Sequence, residues 1–140
     1  MLENTFEERL SAWREFRETL EDHPDPIQAV IDYYNQIPLT SIHTDPWNNS
    51  AWPGPWELIS ENQYCEFARV LGQCYSLQLT ERFKHSTFEI HIITDNGLSV
   101  LYLLFVDDKI IGWNDKTYVS KDEIPDSYTS QKVYVMPPLQ

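Results

Sequence analysis

Residues 88–113, with the sequence FEIHIITDNGLSVLYLLFVDDKIIGW, decide the fold class, because strand-like segments follow one another here with short turns between them. Apolar residues alternate with more polar neighbours from Phe88 to Ile92, which predicts a strand with one buried face. The Asp-Asn-Gly tripeptide at 95–97 is a strong hairpin signal. Residues 98–106 are apolar on both sides, which predicts a second strand covered on both faces in its middle.

The chain on the C-terminal side of this hairpin predicts one or two further strands. Residues 109–113 follow a turn at Asp107-Asp108 and form the third predicted strand. Residues 117–130 are mostly polar and are interpreted as a loop. Residues 132–136 predict a fourth strand, which Pro137-Pro138 ends.

The N-terminal half predicts three helices. Apolar residues recur at helical spacing over residues 4–21. A second helix begins at Asp25-Pro26, with the aspartate as N-cap, and ends at Pro38. The longest predicted helix covers 61–82, with Ser60 as its cap. Helices followed by strands predict an α+β fold, in which three helices pack on one face of a three- to four-stranded antiparallel meander. We expect a single domain over residues 1–140.

The charge of the chain narrows the classes of partner. Its net charge is −12, so phosphate backbones and anionic membranes repel it, whereas a basic protein partner would suit it. The longest apolar run is far shorter than the ~20 residues of a membrane helix. Cys65 and Cys74 lie nine positions apart in one predicted helix, which separates them by about 13 Å along the axis. They therefore cannot pair, which indicates a reducing compartment.

The segment 38–56 combines four prolines with three tryptophans and predicts irregular structure. Either these tryptophans pack the segment across the domain, or they are presented to a partner, because Trp is enriched at binding hot spots. In the second interpretation the acidic side chains of the first helix add charge to the surface. The candidate binding residues are Trp47, Trp52, Trp56, Glu7, Glu8, Glu15 and Glu18.

One local pattern points to catalysis. The stretch Tyr64-Cys65-Glu66-Phe67-Ala68-Arg69-Val70-Leu71 resembles the nucleophile helix of transglutaminase-like cysteine enzymes. The resemblance implies Cys65 as nucleophile, His91 as base and Asp107 as the orienting acid. The residues before the cysteine and after the histidine depart from the family pattern. The alternative interpretation is a small, buried, inert thiol and a histidine on the polar face of its strand.

Other kinds of site lack a pattern in the sequence. There is no CxxC, no HxxxH and no glycine-rich phosphate loop, so we expect neither a metal nor a cofactor. Mimicry of a phosphate array is a further alternative for so acidic a chain. Three arginines interrupt the acidic first helix, however, and charge runs of this kind are usually solvated.

A second resemblance extends over the chain. Asp45-Pro46-Trp47, residues 52–59, residues 64–67 and residues 77–80 are together similar to small acidic proteins of T4-like marine phages, cyanophages among them. This resemblance implies a phage origin. We therefore predict a non-catalytic interaction protein, a virion or assembly component located in the host cytoplasm or the virion. Its expected partner is a viral or host protein, or a second copy of the chain.

Overall fold

The structure is a computed structural model that describes residues 5–139. Its helices are α1 (Phe6–Leu20), α2 (Pro26–Asn35), α3 (Pro55–Glu61) and α4 (Glu66–Gln78), with single 3-10 turns at Asn49–Ala51 and Lys121–Glu123. Its strands are β1 (Phe88–Asp95), β2 (Val100–Val106), β3 (Lys109–Ile111), β4 (Val119–Ser120) and β5 (Tyr128–Val135). The α+β prediction is confirmed, although the described residues form five strands instead of three or four.

The predicted helix over 61–82 is wrong in its bounds, because the chain here forms two helices. Gly54 and Pro55 start α3 inside the segment that was expected to be irregular, and the Gly54 N–H donates to Glu57 Oε1 at 3.1 Å. Asn62, at φ 53°, ends α3 in the left-handed conformation. Cys65 then caps α4, so Ser60 lies within α3 and is not a cap.

The sheet has the order β4-β3-β2-β1-β5 and is antiparallel throughout. The hairpin signal at 95–97 is confirmed, because β1 and β2 pair from Phe88↔Val106 to Thr94↔Val100. β5 pairs with the other side of β1, and its register shifts between Ile92 and Ile93. β5 begins inside the predicted loop. Its side chains are mostly exposed and polar, so hydrophobic periodicity could not reveal it.

The two faces of the sheet are covered differently. The face that carries Ile90, Ile92 and Leu104 packs against the helices, which we call the helix face. The opposite side, the far face, has a smaller buried cluster of Ile93, Leu103, Ile110 and Val119. Leu103 and Leu104 are both fully buried, so the prediction that β2 is covered on both faces in its middle is confirmed.

Candidate functional site

The outer edge of β5 is the longer of the two open edges of the sheet, since none of residues 5–139 pairs with it. The Met136 N–H donates to the Phe88 carbonyl at 2.9 Å. Because alternate residues of an antiparallel ladder bond to the same neighbour, the backbone groups of Val133 and Val135 point outward. Their side chains are also 42% and 68% exposed. A four-residue edge, 132–135, is therefore open to an additional strand.

Trp47 lies beside this edge. It lines a surface cavity of 460 Å³ together with Trp52 and residues 132–137. The indole of Trp47 is 56% exposed, and its backbone N–H donates to Asp45 Oδ1 at 2.9 Å. The turn is thus fixed by a local hydrogen bond while the aromatic ring remains accessible. We call Trp47 and residues 132–135 the edge surface.

The other two tryptophans of the segment do not join the edge surface as exposed groups. Trp52 packs between Phe67 and Tyr134, with centroid distances of 4.9 and 4.6 Å, and its Nε1–H donates to the Asp45 carbonyl. Trp56 is 51% exposed but contacts Trp13 of α1 edge-on at 5.4 Å. Trp52 thus packs the segment against the rest of the domain, whereas Trp47 and Trp56 remain about half exposed.

The acidic side chains of the first helix lie on the helical layer. Glu7, Glu8, Glu15 and Glu18 are exposed, and α1 packs against α3 and α4. Glu18 pairs with Arg14 at 3.4 Å in an exposed i,i+4 contact, which contributes little to stability. None of these four acids lines the cavity that Trp47 shares with residues 132–137.

A second acidic feature is a groove of 830 Å³ on the far face, between the sheet and segment 121–126. We call it the far-face groove. Phe105 and Tyr128 contribute to its floor, and Lys121 is its one basic residue among the described lining residues. The acids that line it are Glu89, Asp107, Asp122 and Asp126. The groove is thus net negative and borders β5, to which Tyr128 belongs.

His91 is held firmly within the far-face groove. Its Nδ1 lies 2.8 Å from Ser130 Oγ and its Nε2 lies 2.9 Å from Glu89 Oε1. Its ring stacks on Phe105 at a centroid distance of 3.9 Å. Both ring nitrogens are occupied by neighbouring side chains, and these contacts fix the polar wall of the groove.

The structure does not bring Cys65 and His91 together. Cys65 is 4% exposed on the helix side, where Sγ accepts hydrogen bonds from the Thr44 and Ala68 N–H groups, each at 3.4 Å. His91 lies on the far face of the sheet with Asp107. Asp107 is a turn residue, and its Oδ1 accepts the Thr87 N–H at 2.9 Å. The three side chains implied by the transglutaminase resemblance are therefore divided between two faces of the sheet.

The neighbours of the Cys65 thiol were not anticipated from the sequence. His43 and Asp45 line the same 570 Å³ cavity as Cys65. They belong to an irregular segment with no periodicity, so no local pattern placed them there. Cys65 and Cys74 are both free and buried, as expected from their spacing, and burial raises the pKa of the Cys74 thiol.

Within residues 5–139, no cluster of three or more His, Cys, Asp or Glu side chains is placed to hold a metal ion. No helix of this part of the chain is long and apolar enough to cross a membrane. No protein-family model matches the chain, and no curated protein or solved structure is significantly similar to it.

Proposed function

We propose that this chain is a non-catalytic protein that acts by binding another protein, as a virion or assembly component of a tailed phage, in the host cytoplasm or the virion. The observation that carries the contact is the open edge of β5, where the outward backbone groups of Val133 and Val135 lie beside the exposed ring of Trp47. The phage setting rests on the sequence resemblance at 45–47 and 52–59.

The partner contributes an extended segment that pairs with residues 132–135. In this mode the main chain supplies hydrogen bonds, and pockets for alternate side chains supply specificity. Trp47 is the anchor, because large aromatic rings dominate binding energy when a partner covers them. The bulge opposite Ile92 and Ile93 limits the added strand to the C-terminal half of β5. The same bulge protects the rest of the edge from indiscriminate pairing.

The partner segment is basic. The chain has a net charge of −12, and four acids line the far-face groove next to β5. Alternate side chains of an added strand would lie on the far face beside Val133 and Val135, which pair with His91 and Glu89 of β1. Lys or Arg at those positions would find negative potential, so binding should weaken as salt rises.

Photo-crosslinking tests this proposal directly. A benzophenone side chain at position 135, in protein produced in the host cell, should capture one partner through an extended basic segment. Two variants should abolish the cross-link: Trp47→Ala, which removes the anchor, and Val133→Pro, which removes an outward N–H without touching the β1 ladder. Trp56→Ala is the matched control, since its ring is similarly exposed at 51% but contacts α1.

Three outcomes would contradict the proposal. Equal capture by wild type and the folded Trp47→Ala and Val133→Pro variants would remove the edge surface from the contact. Cross-links confined to a second copy of this chain would replace the basic partner with a homo-oligomer. Mass spectrometry of purified virions that found no copy, together with no partner among phage assembly proteins, would reject the phage role.

A further inference from the structure

A small cavity of 170 Å³ lies between α2, α4 and the sheet, on the helix side and away from the edge surface. Four aliphatic side chains form much of its wall: Ile31, Val70, Leu101 and Ile111. Most of the other lining residues are polar, and they include one cationic residue, Arg69, and two anionic residues, Glu66 and Asp115. This mixture differs from the core around it, where buried residues are mostly apolar.

Gln73 is the unusual residue of this cavity. It is only 4% exposed, and its side-chain amide makes no hydrogen bond with any residue in the described range 5–139. The amide atoms keep some accessible surface although the residue as a whole is buried, because they face the space of the cavity. Because the amide lines the cavity, it is available to a molecule inside it.

Arg69, one helical turn before Gln73, also lines this cavity. Its Nη2 donates to the Ile37 carbonyl at 3.1 Å, which fixes the guanidinium at the end of α2. Its Nε–H is buried and has no acceptor among the described residues. That nitrogen is too deeply buried to reach a ligand, so the exposed edge of the guanidinium and the Gln73 amide, from successive turns of α4, are the groups that line the cavity.

Carboxylates line the same cavity. Glu66 and Asp115 are lining residues with exposed side chains. The loop that carries Asp115 is fixed by Asn35, whose Nδ2 donates to the Asp115 carbonyl at 2.8 Å. The cavity thus presents donors for an anion, two acids for a cation, and an aliphatic wall between them.

We propose that this cavity binds a free α-amino acid with a small apolar side chain, independently of the protein contact at β5. The ligand carboxylate accepts from Arg69 and Gln73, the ammonium group faces Glu66 and Asp115, and the side chain contacts the aliphatic wall. A cavity of about 150 Å³ can hold a benzene molecule, so 170 Å³ suits about six to eight non-hydrogen atoms, the range from alanine to valine. Because the cavity has two acids and only one arginine, a ligand with a second carboxylate would be repelled.

Titration calorimetry and amide chemical shifts of the full-length protein test the site with alanine and valine as probes. Both should bind, and shifts should centre on α4 around Gln73. Propionate lacks the ammonium group and isopropylamine lacks the carboxylate, so each should bind at least roughly tenfold more weakly. Arg69→Met should weaken binding by a similar factor.

Gln73→Leu separates binding from folding. It should lose amino-acid binding while circular dichroism and thermal unfolding show that the protein stays folded, because leucine has a similar volume but lacks the amide that contacts the ligand. Gln131→Leu, on exposed β5, is the control that should bind like wild type. Val133→Pro should also bind normally, which distinguishes this site from the edge surface.

Several results would overturn this inference. If neither probe shifts any resonance at up to about 10 mM, the cavity holds solvent only. Propionate binding as tightly as alanine would remove the role of Glu66 and Asp115. Undiminished binding by Gln73→Leu and Arg69→Met would place the ligand elsewhere.

Discussion

The two faces of the sheet differ in how they use their residues. On the helix face, large side chains such as Trp13, Tyr34 and Phe67 are almost fully buried in one continuous cluster. On the far face the buried cluster is small, and His91 forms hydrogen bonds with neighbouring side chains at the wall of an open groove. The comparison indicates that the helix face stabilises the fold, which leaves the far face and the β5 edge available for contacts.

The largest expected effect is on the helix face, at Trp13. Its ring is 1% exposed, and its Nε1–H donates to Ser76 Oγ at 2.9 Å. We expect Trp13→Ala to lower the free energy of unfolding by about 3–5 kcal/mol, since it leaves a large cavity and deprives Ser76 of a donor. Urea denaturation followed by circular dichroism measures this loss.

Phe105→Ala is the far-face counterpart of this substitution. Phe105 is half-buried and stacks on His91, so its removal should cost only about 1 kcal/mol. If Phe105→Ala cost as much stability as Trp13→Ala, the proposed difference between the two faces would be wrong, because both would then stabilise the fold alike.

A second prediction concerns the close contact between α2 and α4. A Cβ atom at Gly72 would lie 2.5 Å from Tyr34 Cε1 and 2.9 Å from Cζ. The ring is fully buried and its hydroxyl is bonded to Ser76, so it cannot move aside easily. We expect Gly72→Ala to destabilise by about 1–3 kcal/mol despite the better helix propensity of alanine.

Gly54→Ala is the matched control for this contact. The nearest atom to a Cβ there is Glu57 Oε1 at 3.4 Å, on a flexible side chain. Thermal unfolding of the two variants side by side should show the larger decrease for Gly72→Ala. Equal decreases would mean that the helices can separate at little cost, and the dense packing of the helix face would be overstated.

The elements that the sequence predicted correctly are those with a periodic apolar pattern or a recognisable cap. The meander from Phe88 to Ile111 and the first two helices follow from apolar spacing and caps, including Asp25, whose side chain accepts the Gln28 N–H. The helix break at Asn62 could not be predicted in this way, because apolar residues continue on both sides of it. Only the C-terminal half of β5 was predicted, as the strand over 132–136, since its exposed N-terminal half has no buried face to create alternation.

The candidate sites were harder to predict for a related reason. Whether Trp47 and Trp52 share a surface depends on how an irregular segment crosses the helices, and no pattern encodes that path. Cys65 and His91 are separated because their side chains lie on opposite sides of the sheet, and the sequence pattern did not determine which side each one faces. Nothing in the sequence distinguishes Gln73, and its place in a cavity is evident only once the neighbouring elements surround it.

The smallest predicted effect is a loss of stability in alkaline solution that originates on the helix face. Burial raises the pKa of Tyr34, Tyr64 and Tyr75 above the ordinary value of about 10. Below that value the hydroxyls are protonated in both folded and unfolded chains, so they have no effect on the pH dependence. Above it the unfolded chain releases protons that the folded chain retains, and stability falls as pH rises.

We expect the tyrosines to contribute about 1 kcal/mol to this fall at a pH of about 10. Urea denaturation at successive pH values measures it in a Cys74→Ala background, which removes the buried thiol whose pKa is also raised. Tyr64→Phe should reduce it by about a third, and it should not destabilise at neutral pH, because the Tyr64 hydroxyl has no hydrogen-bond partner among the described residues. An unchanged fall in that variant would assign the alkaline loss to other groups. Tyrosinate absorbance that rose before unfolding would show that these hydroxyls reach water in the folded protein, and the helix face would then be less tightly closed than its contacts indicate.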